Sequence, residues 1–259
     1  MIVDLHNHTT LCNHADGSME EYVQQAIAKN TQFFGFSDHA PMDFDPKYRM
    51  SFSQMQEYED GVKKLQEKYQ NKIEILLGYE VDYLKGHIDE RVVNADVDYL
   101  IGSVHFLEGW GFDNPEFIGK WHEQNIDEVW QKYFDTIEEM AKTQLFDIVG
   151  HLDLIKVFKF MPNNDIPTMA KAALRAIKDA RMVLELNVAG YRKDVKECYP
   201  SKELLEVAFA MGIDITFSSD AHKPEQVGLF GNEVYSLARE VGYTHCVYFK
   251  KRKPFRVAF

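Results

Sequence analysis

The chain has 259 residues, 45% of them apolar and 27% charged, a composition that suits a globular protein with a sizeable core. With 41 acidic residues against 29 basic, the formal charge of -12 disfavours an extended nucleic acid as partner, and no apolar run approaches the ~18 residues of a membrane span. Cys12, Cys198 and Cys246 are odd in number and far apart, which argues against a disulfide framework or a thiolate zinc site; with no signal-like leader, a cytoplasmic location is expected.

No repeat, low-complexity segment or Pro/Gly-rich linker interrupts the chain, so residues 1–259 are read as one domain. In chain order the apolar runs predict strands at 2–6, 33–38, 73–81, 98–105, 146–152, 182–188 and 214–220. Amphipathic stretches predict helices over 18–30, 53–70, 126–143, 168–180 and 201–212, the first opened by Ser18 with Glu21 three residues on, the form of a capping box. The piece near 86–96 is too short for a firm helix, and 245–249 reads as either an eighth strand or a surface extension. Seven strands alternating with helices indicate an α/β fold of βα units around a parallel sheet.

Ionisable residues gather at the ends of these strands. His6 ends the first and His8 follows it; Asp38 and His39 end the second; Glu80 lies near the end of the third; His105 ends the fourth and His151 the fifth; Asp220 and His222 close the seventh. In a βα barrel the C-terminal strand ends form the catalytic face, so these side chains are expected to converge despite their separation in sequence. With His14 on the loop after the first strand, seven of the ten histidines belong to this set, and a mixture of imidazole and carboxylate suits Zn, Mn or Fe. His87, His122 and His245 read as surface or structural residues.

The motifs that carry this pattern are "DLHNH", "SDHA", "GYEVD", "GSVH", "VGHLD" and "SSDAH". In them the chain resembles the PHP (polymerase and histidinol phosphatase) superfamily across nearly its whole length. That resemblance implies a distorted (β/α)7 TIM-like barrel with three divalent metal ions at the C-terminal strand ends. It assigns His6, His8, Glu80 and Asp220 to the first ion, Glu80, His105 and His151 to the second, and His14, His39 and His222 to the third, with Glu80 bridging two. Within the superfamily, "SDHAPM", "ELNVAGYRKDVKECYPS" and "VYFKKRKP" are most similar to the stand-alone histidinol-phosphate phosphatases of histidine biosynthesis.

The expected chemistry is hydrolysis of a phosphomonoester by attack of a metal-bound hydroxide on phosphorus, since clustered divalent ions lower the pKa of bound water to about 7 and neutralise phosphoryl oxygens. Glu80, Asp220 and Arg192 are the expected catalytic residues. Arg192 after the sixth strand and Lys156 after the fifth are expected to reach the phosphate, arginine through its planar fork. A proton for the departing alcohol is expected from bound water or from Asp38 or Asp153. The long rim loops 41–50 and 106–117 offer Asp43, Asp45, Glu108 and Asp113 for a cationic substrate, and Phe44, Trp110 and Phe112 for an aromatic one. The run at 250–254 reads as a solvated basic tail.

Three other functions compete with this reading. A nucleotide phosphoesterase differs only in substrate, a non-catalytic scaffold would be expected to have lost ligands, and an amidohydrolase would release ammonia instead of phosphate.

Overall fold

Runs that are apolar on both faces cannot leave either face in water, and here they form a central parallel sheet sheathed by helices. The computed structural model describes residues 1–259. Its elements, in chain order, are β1 (Val3–Asp4), α1 (Met19–Ala28), β2 (Phe33–His39), α2 (Met55–Tyr69), β3 (Glu74–Asp82), α3 (Glu90–Val93), β4 (Tyr99–Ser103), β5 (Phe106–Leu107), β6 (Trp110–Gly111), α4 (Ile126–Lys142), β7 (Ile148–Val149), α5 (Ile166–Asp179), β8 (Val183–Asn187), α6 (Ala189–Arg192), α7 (Lys202–Ala210), β9 (Ile215–Ser218), α8 (Gly231–Val241), β10 (His245–Lys250) and β11 (Lys253–Ala258). No helix is long and apolar enough to cross a membrane.

Seven strands run parallel in the order β1-β2-β3-β4-β7-β8-β9. The sheet then curls until its edges meet: Leu5 N donates to Phe217 O at 3.1 Å and His8 N to Ala221 O at 2.9 Å. Buried Asp4 reinforces the seam by accepting from Ser219 N at 2.8 Å and Ser219 Oγ at 2.6 Å. The result is the distorted (β/α)7 barrel anticipated above. β1 and β7 are shorter than the apolar runs that predict them, with only two residues each in the ladder.

Tyr99 fills the barrel's middle, its hydroxyl 2.6 Å from Leu5 O and 3.2 Å from Phe36 O. Neighbouring strands must be bare opposite that ring. A Cβ on Gly35 would lie 2.0 Å from the Tyr99 hydroxyl and one on Gly78 2.5 Å from its ring, so both positions require glycine for close approach.

The capping box predicted at α1 is present, with Ser18 and Glu21 each bonded to the other's backbone. The segment near 86–96 yields the single turn α3, capped by Asp89. α8 was not among the predicted helices: it follows Phe230 in a left-handed conformation and has no side-chain cap, so the usual start signal is missing. Residues 245–249 are neither an eighth barrel strand nor a surface extension: they belong to β10 of the antiparallel hairpin β10–β11, with Cys246, Val247 and Phe249 buried in the core. Its basic turn is not a free tail. Lys250 pairs with Glu74 at 2.9 Å, Lys251 N donates to Asp98, and the Arg252 guanidinium pairs with Asp147, all near the beginnings of barrel strands. The hairpin therefore covers the N-terminal end of the barrel and leaves the other end open.

Candidate metal centre

At that open end the strands release their polar residues into a cavity of about 550 Å³ lined by His8, His14, His39, Glu80, His105, His151, Asp220 and His222. Glu80 lies at its floor, 1% exposed. One of its oxygens, Oε2, is 3.2 Å from His6 Nε2, 3.6 Å from His8 Nε2 and 2.9 Å from His39 Nδ1. The other, Oε1, is 3.0 Å from His151 Nε2 and 3.6 Å from His105 Nε2. Asp220 closes the first of these groups, with Oδ1 3.3 Å from His8 Nε2.

Three sets of donor atoms lie within 4.8 Å of one another: His6, His8 and Glu80; Glu80, His105 and His151; and His14, His39 and His222. Eight of the nine residues named from the sequence fall in these sets, and the ninth, Asp220, lies beside them through its 3.3 Å contact with His8. Cys12 also lies within this distance of His8 and His222, but its thiol donates to Thr9 O at 3.1 Å and burial pushes its pKa up, so it is not set up as a thiolate.

The donor set fits divalent ions on its own chemistry. Buried atoms that have no hydrogen-bond partner include His6 Nε2, His8 Nε2, His39 Nδ1, His151 Nδ1 and Glu80 Oε2. Such a cluster of unpaired donors is stable only if something positive satisfies it. Burial works against the Glu80 charge, but His6, His39 and His105 outweigh it and hold the carboxyl well below the usual range. His14 is pushed down to about 4, by burial first and then by His39 and His8, so its imidazole is neutral and free to ligate.

Behind the candidate ligands stands a second row of acceptors that sets the ring orientations. His6 Nδ1 meets Glu185 Oε1 at 2.6 Å, His105 Nδ1 meets Asp82 Oδ1 at 2.5 Å, and His8 Nδ1 meets Asp38 Oδ1 at 3.2 Å. Each contact turns the opposite nitrogen, Nε2, toward the centre. Two of these supports were missed from the sequence although each left a trace. Glu185 is a carboxylate inside the apolar strand "VLELN", and Asp82 lies two residues beyond Glu80, hence on the same face of its strand. Glu185→Gln should lower metal affinity or turnover by roughly ten- to a hundred-fold while the protein stays folded. Element analysis and phosphate release, set against the unfolding midpoint, check this result.

Two of the candidate ligands are held in backbone conformations that few side chains adopt. His151 has φ of +21° and Asp220 φ of +49°, each a strain of about 1–3 kcal/mol that surrounding bonds must hold in place. His151 N donates to Glu185 Oε2 at 2.6 Å. Around Asp220 the clamp is Arg192, whose Nη1 donates to Ser219 O at 2.9 Å and Nη2 to Asp220 O at 2.8 Å.

The remaining expected site residues divide. Arg192 lines the cavity, with three of its five N–H groups still free of these backbone bonds. Lys156 does not face the cavity. It is 1% exposed and directed the other way, bonded to Asp153 at 2.8 Å, Glu197 at 2.7 Å and Cys198 O at 2.8 Å, because a buried ammonium must find anions. Asp153 is held in the same cluster, accepts from Ser201 N at 2.8 Å and is not among the residues that line the cavity. Asp38 is likewise occupied behind His8 and Thr9. Asp43 points into solvent, paired with His87 at 2.7 Å, and Glu108 is paired with Lys132.

Asp45 and Asp113 are the acidic rim residues that do reach the cavity. Phe44, Trp110 and Phe112 pack elsewhere, against Phe106, Trp121 and Tyr133 respectively. The aromatic wall is instead made by Phe106, Phe117, Tyr48 and Tyr199. Phe117 belongs to a 3-10 helix, Pro115–Glu123, inside a segment that the sequence presents only as a loop.

Comparison with known proteins agrees with this geometry. The PHP domain family matches residues 4–189. A protein of Deinococcus radiodurans named a probable histidinol-phosphatase is 37% identical over 257 residues, covering 97% of this chain and 98% of its own length. One of the same name from Schizosaccharomyces pombe is 26% identical, over 94% of this chain and 88% of its own. Among solved structures, the histidinol phosphate phosphatase of Lactococcus lactis, complexed with zinc, L-histidinol and phosphate, superposes with a TM-score of 0.80 at 21% identity and covers 98% of each chain. That similarity is one of fold.

Proposed function

The chain belongs to the PHP domain family, and from that premise we propose that it is a metal-dependent phosphomonoesterase that converts L-histidinol phosphate to L-histidinol and inorganic phosphate, as a step of histidine biosynthesis. The observation that carries this reading is the convergence of seven histidines with Glu80 and Asp220 at one cavity. The names borne by the Deinococcus and yeast relatives support the choice of substrate.

His6, His8, Glu80 and Asp220, then Glu80, His105 and His151, then His14, His39 and His222 would hold three divalent ions, with zinc, manganese and iron all compatible with such donors. Bound there, the ions supply a nucleophile at neutral pH and neutralise charge on the phosphoryl oxygens. The chain's own residues do the rest. Glu80 keeps two groups at a fixed separation because its two oxygens face different histidines. Arg192, anchored by two backbone carbonyls, presents its remaining N–H groups to a phosphate. Asp45 and Asp113 meet the substrate's ammonium, and Phe106 and Phe117 flank its ring. A continuous core of 73 buried residues supports one domain over 1–259, and three unpaired, buried cysteines support a cytoplasmic setting.

The test is phosphate release from L-histidinol phosphate and from a panel of nucleoside monophosphates at equal concentration, before and after chelation, with element analysis of the purified protein. Preference for a nucleotide would overturn the substrate assignment, and activity that survives removal of all metal would overturn the mechanism.

Arg192→Ala should lower kcat/KM roughly ten- to a hundred-fold and weaken inhibition by free phosphate in parallel, as expected for loss of hydrogen bonds to a charged group. Inhibition by L-histidinol, which lacks the phosphoryl group, should change far less. Because the same guanidinium ties down Ser219 and Asp220, metal affinity should fall as well. Unchanged phosphate inhibition would remove Arg192 from the site.

A further inference from the structure

Tyr199 lines the cavity with its side chain almost wholly buried, 1% exposed, yet its hydroxyl has no hydrogen-bond partner in the protein. The surrounding backbone is tightly held. Tyr199 and Asn187 exchange both backbone bonds, at 2.7 and 2.9 Å, Lys156 grips Cys198 O, and Asp153 grips Ser201 N. Close packing along the same loop shows at Gly190, where a Cβ would meet Glu197 O at 1.9 Å. The tyrosine ring is therefore fixed in place, 6.5 Å from the His151 ring.

Buried hydroxyls are almost always bonded, and one left open at a rigid position beside a cavity marks a ligand that brings the missing partner. Burial, followed by Asp153, Asp220 and Asp113, keeps this phenol protonated, so it meets a ligand as a donor. The same cavity is lined by His151, Asp220 and Arg192. A phosphomonoester's strong acceptors are its phosphoryl oxygens.

We propose that the Tyr199 hydroxyl donates a hydrogen bond to the phosphoryl group of the substrate, sharing that group with Arg192, and is a catalytic residue by that contact. This rests on the phosphomonoesterase reading above. The hydroxyl neither gains nor loses a covalent bond: it holds an oxygen whose negative charge persists from substrate to product.

Tyr199→Phe removes the hydroxyl and nothing else. In the metal-loaded protein, calorimetric titration with inorganic phosphate should show affinity weakened by roughly ten- to a hundred-fold, the range for a bond to a charged acceptor. Titration with L-histidinol should be unchanged, metal content should equal that of the wild type, and the unfolding midpoint should stay level or rise, because an unsatisfied buried hydroxyl has gone. For whichever phosphomonoester the wild type hydrolyses, kcat/KM should fall by the same factor as phosphate affinity. Unchanged phosphate affinity overturns the proposal, as does a lowered unfolding midpoint with loss of metal, which would make the hydroxyl structural. Since inorganic phosphate is the probe, a wild type that ignores L-histidinol phosphate would defeat the substrate assignment without deciding the role of Tyr199.

Discussion

Glu80→Gln is expected to leave a folded protein with at least about a thousandfold less activity, since the charge stabilisation it supports is of several kcal/mol and each 1.4 kcal/mol is tenfold in rate. The substitution keeps the shape of the side chain and removes its charge. An amide offers one weaker oxygen donor where the carboxylate offers two anionic ones, and five histidines converge on those two oxygens. The metal stoichiometry should fall in parallel, because two of the three donor groups contain Glu80. Element analysis, turnover and an unfolding curve on the same sample test this. Near-normal turnover with a full metal complement would sink the bridging role.

Lys156→Met is expected to destabilise the fold by about 3–5 kcal/mol, the range for removing one partner of a buried ion pair. Asp153, 1% exposed, would lose its cation, and Cys198 O would lose its donor. The damage should reach the cavity, because this cluster pins residues 197–201, the segment that carries Tyr199. A double variant, Lys156→Met with Asp153→Leu, should recover most of the stability, since replacing a buried pair with apolar groups of similar volume is often neutral. Denaturant unfolding of the wild type and both variants checks the pattern. If the single variant matches the wild type in stability, the pair contributes little, and the loop is held by its backbone bonds alone.

Lys156 also shows where reading the sequence stops. The barrel was legible because a parallel strand buried on both faces leaves a continuous apolar run, and seven such runs are present. The candidate metal donors, His14 on its loop apart, stood out because they sit at the ends of those runs, where position along the chain implies position in space. For a loop residue no such link exists. Lys156 and Arg192 both follow strands by a short distance, yet one turns into a buried ionic cluster and the other toward the cavity. Asp43 and Asp113 look alike in composition, but only Asp113 is folded inward. Glu185 stayed hidden for the opposite reason: it lies within a strand, where an inward-facing carboxylate looks like an interruption of the core until His6 is seen beside it.

The seam between β1 and β9 sets an order of events during synthesis. His6 and His8 are made among the first residues, but their partner Asp220 and the strand that closes the ring come more than two hundred residues later. Until β9 emerges from the ribosome, Asp4 has no Ser219 and Leu5 has no Phe217, so the nascent chain exposes histidines without a completed site. Contacts this distant in sequence form late. The step that closes the barrel therefore also completes the first donor group, by bringing Asp220 beside His8 in a cluster that already holds Glu80.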